Sequence, residues 1–197
     1  MSAALLTPPA AGDPPRKRFT RTEVERLLDR GFFEGQRCEL INGDLIDKLG
    51  QKPAHAIALH LCLAWLIQLF GGERVWVQAP IEAGAPDRER SVPEPDLAVL
   101  SETARHYAGR LPNGSELLLV IEIADATARF DAGVKRDLYA RAGVREYWVL
   151  DVAARRMLMH RNLAGGVYTD FIAVPEHQRI APQAMADRSL QVSELLP

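Results

Sequence analysis

A chain of 197 residues is long enough for one domain of ordinary size with its own core. With 47% hydrophobic and 25% charged residues, a disordered or fibrous protein is excluded. The net charge of −2 decides nothing about a polyanionic partner, because a small basic cleft can hide inside a balanced total.

Residues 1 to 17 are rich in Ala and Pro without periodicity and read as a flexible tail, leaving residues 18 to 197 as a single domain. The tail lacks the basic and then apolar order of a secretory signal. Next, "FTRTEVERLLDRG" predicts a helix: Thr20 is the N-cap, Glu23 completes a capping box, Phe19 and Val24 are spaced as a staple, and Gly31 suits the C-terminal cap. "CELINGDLIDKL" alternates about Asn42-Gly43 and predicts a hairpin. Residues 54 to 70 predict an apolar core helix ended by Gly71-Gly72. Its run "AIALHLCLAWLIQLF" is too short to span a bilayer, so no membrane partner and a cytoplasmic protein are expected.

Cys38 and Cys62 stand far apart, outside any C-x-x-C spacing, and read as free thiols. "RVWVQAPIEAG", "EPDLAVL" and the nearly all-apolar "SELLLVIEIAD" predict three strands. A helix over about 131 to 142, with Asp131 as N-cap, leads through Gly143 to the strand "REYWVLDV". A last hairpin pairs "RMLMHR" with "GVYTDFIAV" across Asn162 to Gly166, and "SLQVSELLP" closes the chain. This order predicts an α/β fold with one mixed sheet flanked by helices.

Chemistry concentrates on a few charged residues in apolar surroundings. Glu122 lies inside the buried strand, sharing a face with Val120 and Ala124 while Ile121 and Ile123 take the other. A carboxylate there costs several kcal/mol unless it is paired or neutralised. One candidate to meet it is Asp96, where Pro95 breaks the ladder and "LAVL" begins; two carboxylates on adjacent strands suit a hard divalent cation, while a turn cap is the plain alternative. The other is Lys135, on the helical stripe 131, 135, 138, 139, 142. Only four of the 24 basic residues are lysine, and this one faces the sheet unless it snorkels to water. Together these three suit phosphodiester hydrolysis with Mg²⁺, or Mn²⁺ in its place. P-loop, dinucleotide, H-E-x-x-H and G-x-S-x-G motifs do not occur, so no nucleotide cofactor is expected.

"PEPDLAVL" followed by "LLLVIEIADATARFDAGVKRDLYARAGVREYWVLD" resembles the bacterial putative restriction endonuclease domain family, a branch of the PD-(D/E)XK nuclease superfamily. "RCELINGDLID", the helix opening at His55, "VWVQAPIEA" and "HYAGRLP" extend the likeness to roughly residues 19 to 196. The resemblance implies a restriction-endonuclease-like sheet, DNA as partner, and Asp96 and Glu122 as metal ligands with Lys135 catalytic. The lysine of the E-x-K element is replaced by Ala124, and the family's lysine is taken to have moved to the next helix. Glu39 matches an acidic residue counted with such sites, and His55 and Gln78 match recurrent polar positions. Many relatives carry serines where this chain has Ala124 and Ala126, which puts support of the carboxylates in question.

Two other readings stand beside a DNA endonuclease. One is a non-catalytic binding or scaffold protein retaining the fold, a homodimer among its forms, and the other is a hydrolase of smaller phosphate esters. Target sequence would have to be read by loops such as residues 84 to 93 or 101 to 115.

Overall fold

The computed structural model describes residues 16–48 and 52–197. The expected tail lies outside the described residues except for Arg16 and Lys17. Helix α1 (Arg21–Leu28) starts at the Thr20/Glu23 capping box, each side chain bonded to the other's backbone. It ends at Asp29, before Gly31, whose φ of 79° belongs to the turns that follow. Asn42 (φ 52°) and Gly43 (φ 83°) link β1 (Cys38–Ile41) to β2 (Asp44–Asp47) by the positive-φ turn a tight hairpin requires.

Six strands form the main sheet in the order β3 (Val75–Val77), β4 (Leu97–Leu100), β5 (Leu117–Ala124), β6 (Tyr147–Asp151), β7 (Arg156–Ala164), β8 (Val167–Pro175). All neighbours are antiparallel except β5 and β6, whose parallel pairing is bridged by the helical segment between them. The strand expected over "RVWVQAPIEAG" is only three residues long. Gln78 turns to φ 44° and Pro80 has no N–H to offer a ladder. At the far edge β7 runs past Asn162 to Ala164, and Gly165 and Gly166, both at positive φ, make a tighter turn than the Asn162–Gly166 loop expected. β9 (Arg179–Ile180) and β10 (Leu190–Gln191) pair separately near the C-terminus.

The apolar faces of β5 build two cores. Ile121 and Ile123 pack against α2 (Pro53–Phe70) through Ala58, Cys62, Trp65 and Leu66, together with Val192, Leu195 and Leu196. Val120 and Ala124 face Tyr139, Tyr147 and Val149 on the other side. Each such aliphatic side chain fully buried stabilises the fold by roughly 1.5–3 kcal/mol, so β5 is a rigid mount for anything it carries. Cys38 and Cys62 are free thiols.

The helix expected over 131 to 142 begins earlier. α3 (Ala128–Phe130) starts after Thr127, a five-residue π-helical turn covers Asp131–Lys135, and α4 (Arg136–Ala142) ends at Gly143 (φ 92°). Asp131 is therefore a buried residue inside the helix and not its N-cap. Gly84 and Gly114 fix α4: a Cβ on either would sit 2.5 and 2.4 Å from the carbonyl oxygens of Arg141 and Ala142.

His160 on β7 is buried among Tyr147, Tyr168 and Phe171, with its Nε2 unpartnered. Burial, then Arg136, pushes its pKa from 6.5 down to about 4, against a smaller opposing pull from Asp137. The unfolded chain therefore binds the extra proton first, and stability falls as pH drops from 6.5 towards 4. Urea titrations across that range should show a shallower loss in His160→Phe than in the parent.

Candidate active site

Antiparallel pairing of Leu97 with Ile121 places Asp96, the residue before β4, beside Glu122 of β5. Both are buried. The Asp96 N–H reaches Glu122 Oε2 at 3.3 Å, and the Ile123 N–H donates to Asp96 Oδ2 at 2.9 Å, so backbone holds the two carboxylates side by side. From the helical side Lys135 Nζ donates to Glu122 Oε1 at 2.9 Å and lies 2.7 Å from Glu39 Oε1. The Glu94 N–H holds the other Glu39 oxygen at 3.1 Å. His55, in the first turn of α2, brings Nε2 to 3.6 Å from Asp96 Oδ1, and Gln78 Nε2 reaches the same oxygen at 3.3 Å. Lys135 does not snorkel, and Asp96 does not merely cap a turn.

All six residues singled out in the sequence line one cleft of about 260 Å³. Three of the four lysines line it too: Lys135 at its floor, Lys48 and Lys52 with Arg37 towards the mouth. Gln78 holds a left-handed backbone that costs a non-glycine residue roughly 1–2 kcal/mol. In return its N–H and side chain both engage Asp96, the pattern of a strained residue kept at a functional position.

Two further residues belong to this cluster. Tyr139, one turn beyond Lys135, donates its hydroxyl to Glu122 Oε1 at 2.8 Å. Asp131 lies 3.9 Å from Lys135 Nζ, with its carbonyl accepting the Tyr147 hydroxyl at 3.0 Å. The stripe that located Lys135 contains both. Tyr139 was legible there as an apolar contact, but its hydroxyl acts as a hydrogen-bond donor. That donor and the Ile123 N–H support the carboxylates where serines are absent: Ala124 is packed in the core and Ala126 lines the cleft.

The electrostatics are unbalanced. Glu39, Glu122 and Asp131 surround a single buried ammonium, with Asp96 beside Glu122. Burial alone would raise Asp96, but His55, Lys48 and the Ile123 N–H outweigh it and hold its carboxyl at about 2. Glu122 goes the other way: burial pushes it above the usual carboxylate range, and Asp96 and Asp131 add repulsion that Lys135 only partly offsets. Desolvation would lower Lys135, yet Glu122, Glu39 and Asp131 raise it, so it stays charged. A second positive charge beside Asp96 and Glu122 is what this cluster lacks.

Among the described residues, no three His, Cys, Asp or Glu side chains form a closed metal cage. Two adjacent carboxylates at an open cleft instead match a hard cation that keeps waters or phosphate oxygens as its other ligands. Glu122 Oε1 is occupied by Lys135 and Tyr139, leaving Oε2 and the Asp96 carboxylate as donors. His55 Nε2, buried in the same cleft without a hydrogen bond in the protein, is a further polar atom that a coordinated water could satisfy. The residues fit Mg²⁺ or Mn²⁺.

A mixed sheet between helices, with paired carboxylates where β4 meets β5, defines a restriction-endonuclease-like α/β protein. Over residues 22–193 the chain matches the Uma2 family model, "Putative restriction endonuclease", and it belongs to that family. Its fold is similar to that of a solved structure described as a putative nuclease belonging to DUF820 from Anabaena variabilis ATCC 29413. The two share 13% identity, with a TM-score of 0.62 over 80% of this chain and 88% of that one. No curated protein matches.

Proposed function

We propose that the protein is a Mg²⁺-dependent endonuclease that hydrolyses phosphodiester bonds in DNA. The observation that carries this reading is the pair Asp96 and Glu122, buried side by side at the floor of a cleft with Lys135 within 2.9 Å of Glu122. Membership of the restriction endonuclease family supports the same reaction class. Asp96 and Glu122 would hold the cation, which supplies Lewis acidity at the scissile phosphate. Lys135 places a desolvated positive charge where negative charge builds on the phosphoryl oxygens. Tyr139 fixes the rotamer of Glu122 and keeps Oε2 turned towards Asp96. Arg37, Lys48 and Lys52 offer phosphate contacts at the mouth, a role in which loss of one cation weakens binding and its salt dependence together.

The test is cleavage of plasmid, single-stranded DNA and RNA with Mg²⁺ or Mn²⁺, with Glu122→Ala as control. Cleavage without added metal, or equal cleavage by the variant, would sink the reading. Tyr139→Phe should still fold but bind Mn²⁺ about tenfold more weakly by calorimetry, since it removes one of two donors orienting a ligand.

The binding-module reading draws support from one feature. The rim cations already face carboxylates: Arg37 meets Glu94, and Lys52 lies 2.8 Å from Asp125. A salt-dependent gel shift separates the two: nucleic-acid binding should weaken steeply as salt rises, whereas scaffold dimerisation should not.

A further inference from the structure

Helix α2 carries no charged side chain from Pro53 to Phe70, yet only Ala58, Cys62, Trp65 and Leu66 are fully buried in the sheet. Its other face is open. Ala56, Ile57, His60, Ala64, Ile67 and Gln68 are exposed, Ile57 at 47% and Ile67 at 44%. The outer face of a helix in a soluble protein ordinarily carries charges; here Ile57, Ala64 and Ile67 are interrupted only by the uncharged His60 and Gln68, and an exposed stripe without charge marks a contact surface.

We propose that this face is a homodimer interface in which α2 packs antiparallel against α2 of a second copy. The spacing argues for it. Positions 57, 60, 64 and 67 advance by three, four and three residues, the a/d seam of two packed helices. A two-fold axis requires that residue i meets j and j meets i. An antiparallel pair centred on position 62 satisfies this along the whole stripe: Ile57 against the partner's Ile67, His60 against the partner's Ala64, and Ala56 against the partner's Gln68. The a positions then meet d positions, a large side chain faces a small one at the centre, and no charge is buried.

Charge selects the occupant. A nucleic acid would need cations on this face, and a helix lying on a lipid surface would carry Lys or Arg along its polar flank. α2 has neither, whereas a second copy presents the same uncharged seam. The stripe from Ala56 to Gln68 is about 20 Å long on a helix about 10 Å wide, so it forms the centre of a contact that flanking side chains must extend to the ~1,000 Å² total of the smaller specific interfaces. The groove along its flank is lined by Leu61, Leu69, Met185 and Leu190 but also by the charged Arg188 and Glu194, so it forms a polar rim to the seam and not part of its uncharged centre.

Sedimentation equilibrium of the full chain should give twice 21.8 kDa. Ile67→Glu, which buries two carboxylates per dimer, should raise the dissociation constant at least about 100-fold with an unchanged circular dichroism spectrum. The register has its own test, independent of that variant. Ile57→Cys mixed with Ile67→Cys should form a disulfide heterodimer under mild oxidation, while neither alone cross-links efficiently. A chain that stays at 21.8 kDa overturns the proposal. So does a dimer that survives Ile67→Glu but dissociates in Phe171→Glu, which would move the contact to the apolar edge strand β8. Cross-linking of Ile57→Cys to itself would overturn the antiparallel register.

Discussion

Lys135→Met lowers the unfolding free energy by about 3–5 kcal/mol, the cost of leaving a buried charge without its partner. The ammonium is shared, 2.7 Å from Glu39 and 2.9 Å from Glu122, and is the only buried cation among the described residues of that cluster. Methionine fills similar space but leaves two carboxylates facing each other beside Asp131, with desolvation no longer compensated. Urea unfolding at neutral pH measures the loss. On the proposed function, cleavage also falls about 10²–10³-fold, the effect of deleting one charge aimed at the transition state. A single-turnover assay at saturating metal, under conditions where the variant is folded, separates that from instability.

Glu122→Gln, on the other side of the same 2.9 Å contact, should act in the opposite sense on stability. The amide oxygen still accepts from Lys135 and Tyr139, the Lys135–Glu39 pair survives, and repulsion by Asp96 and Asp131 disappears, against the loss of the long 3.3 Å bond from the Asp96 N–H, which the amide NH₂ cannot accept. The metal-free protein should be unchanged within about 1 kcal/mol or more stable. Metal response is where the damage falls. The parent should gain about 2.7 kcal/mol in a divalent cation at a hundred times its dissociation constant. The variant should gain almost nothing and lose cleavage by at least about 10³-fold. Thermal melts with and without Mg²⁺ check the first part. A large loss of metal-free stability in Glu122→Gln would mean that the carboxylate is structural.

Features set by local chemistry were legible in the sequence. The Thr20/Glu23 box, the Asn42-Gly43 turn and the alternation of β5 each depend on neighbours within a few residues. Lys135 was legible because an ammonium on an apolar stripe has few reasons to be there. The adjacency of Asp96 and Glu122 was different in kind. It depends on β4 lying next to β5 across 26 residues, which the residues alone offer only as one candidate pairing and the family resemblance implies. "VWVQAP" looked like one strand because its alternation says nothing of the left-handed turn at Gln78, whose reward is a contact with Asp96 formed only in the folded chain. Asp131 was read as a cap because Asp commonly starts helices. Here the helix starts three residues earlier and the carboxylate is drawn inward towards Lys135.

The π-helical turn at Asp131–Lys135 makes chain length itself part of the site. A π turn holds one residue more than the α turn it replaces, so deleting Gly133, which touches no neighbouring atoms at its Cβ position, is the smallest edit that could convert one into the other. Such a deletion changes no charge, yet it removes the Gly133 carbonyl that accepts from the Arg136 N–H and brings Asp131 from four residues before Lys135 to three. Asp131 and Lys135 would still share a helix face, but the chain from Glu122 to the lysine would be one residue shorter, so the helix would have to shift along the sheet to keep the 2.9 Å contact. Relatives of this protein are therefore better sorted by counting: those whose helix lysine comes thirteen positions after the strand glutamate retain the geometry, whatever their overall identity, and those one residue shorter must have rebuilt it.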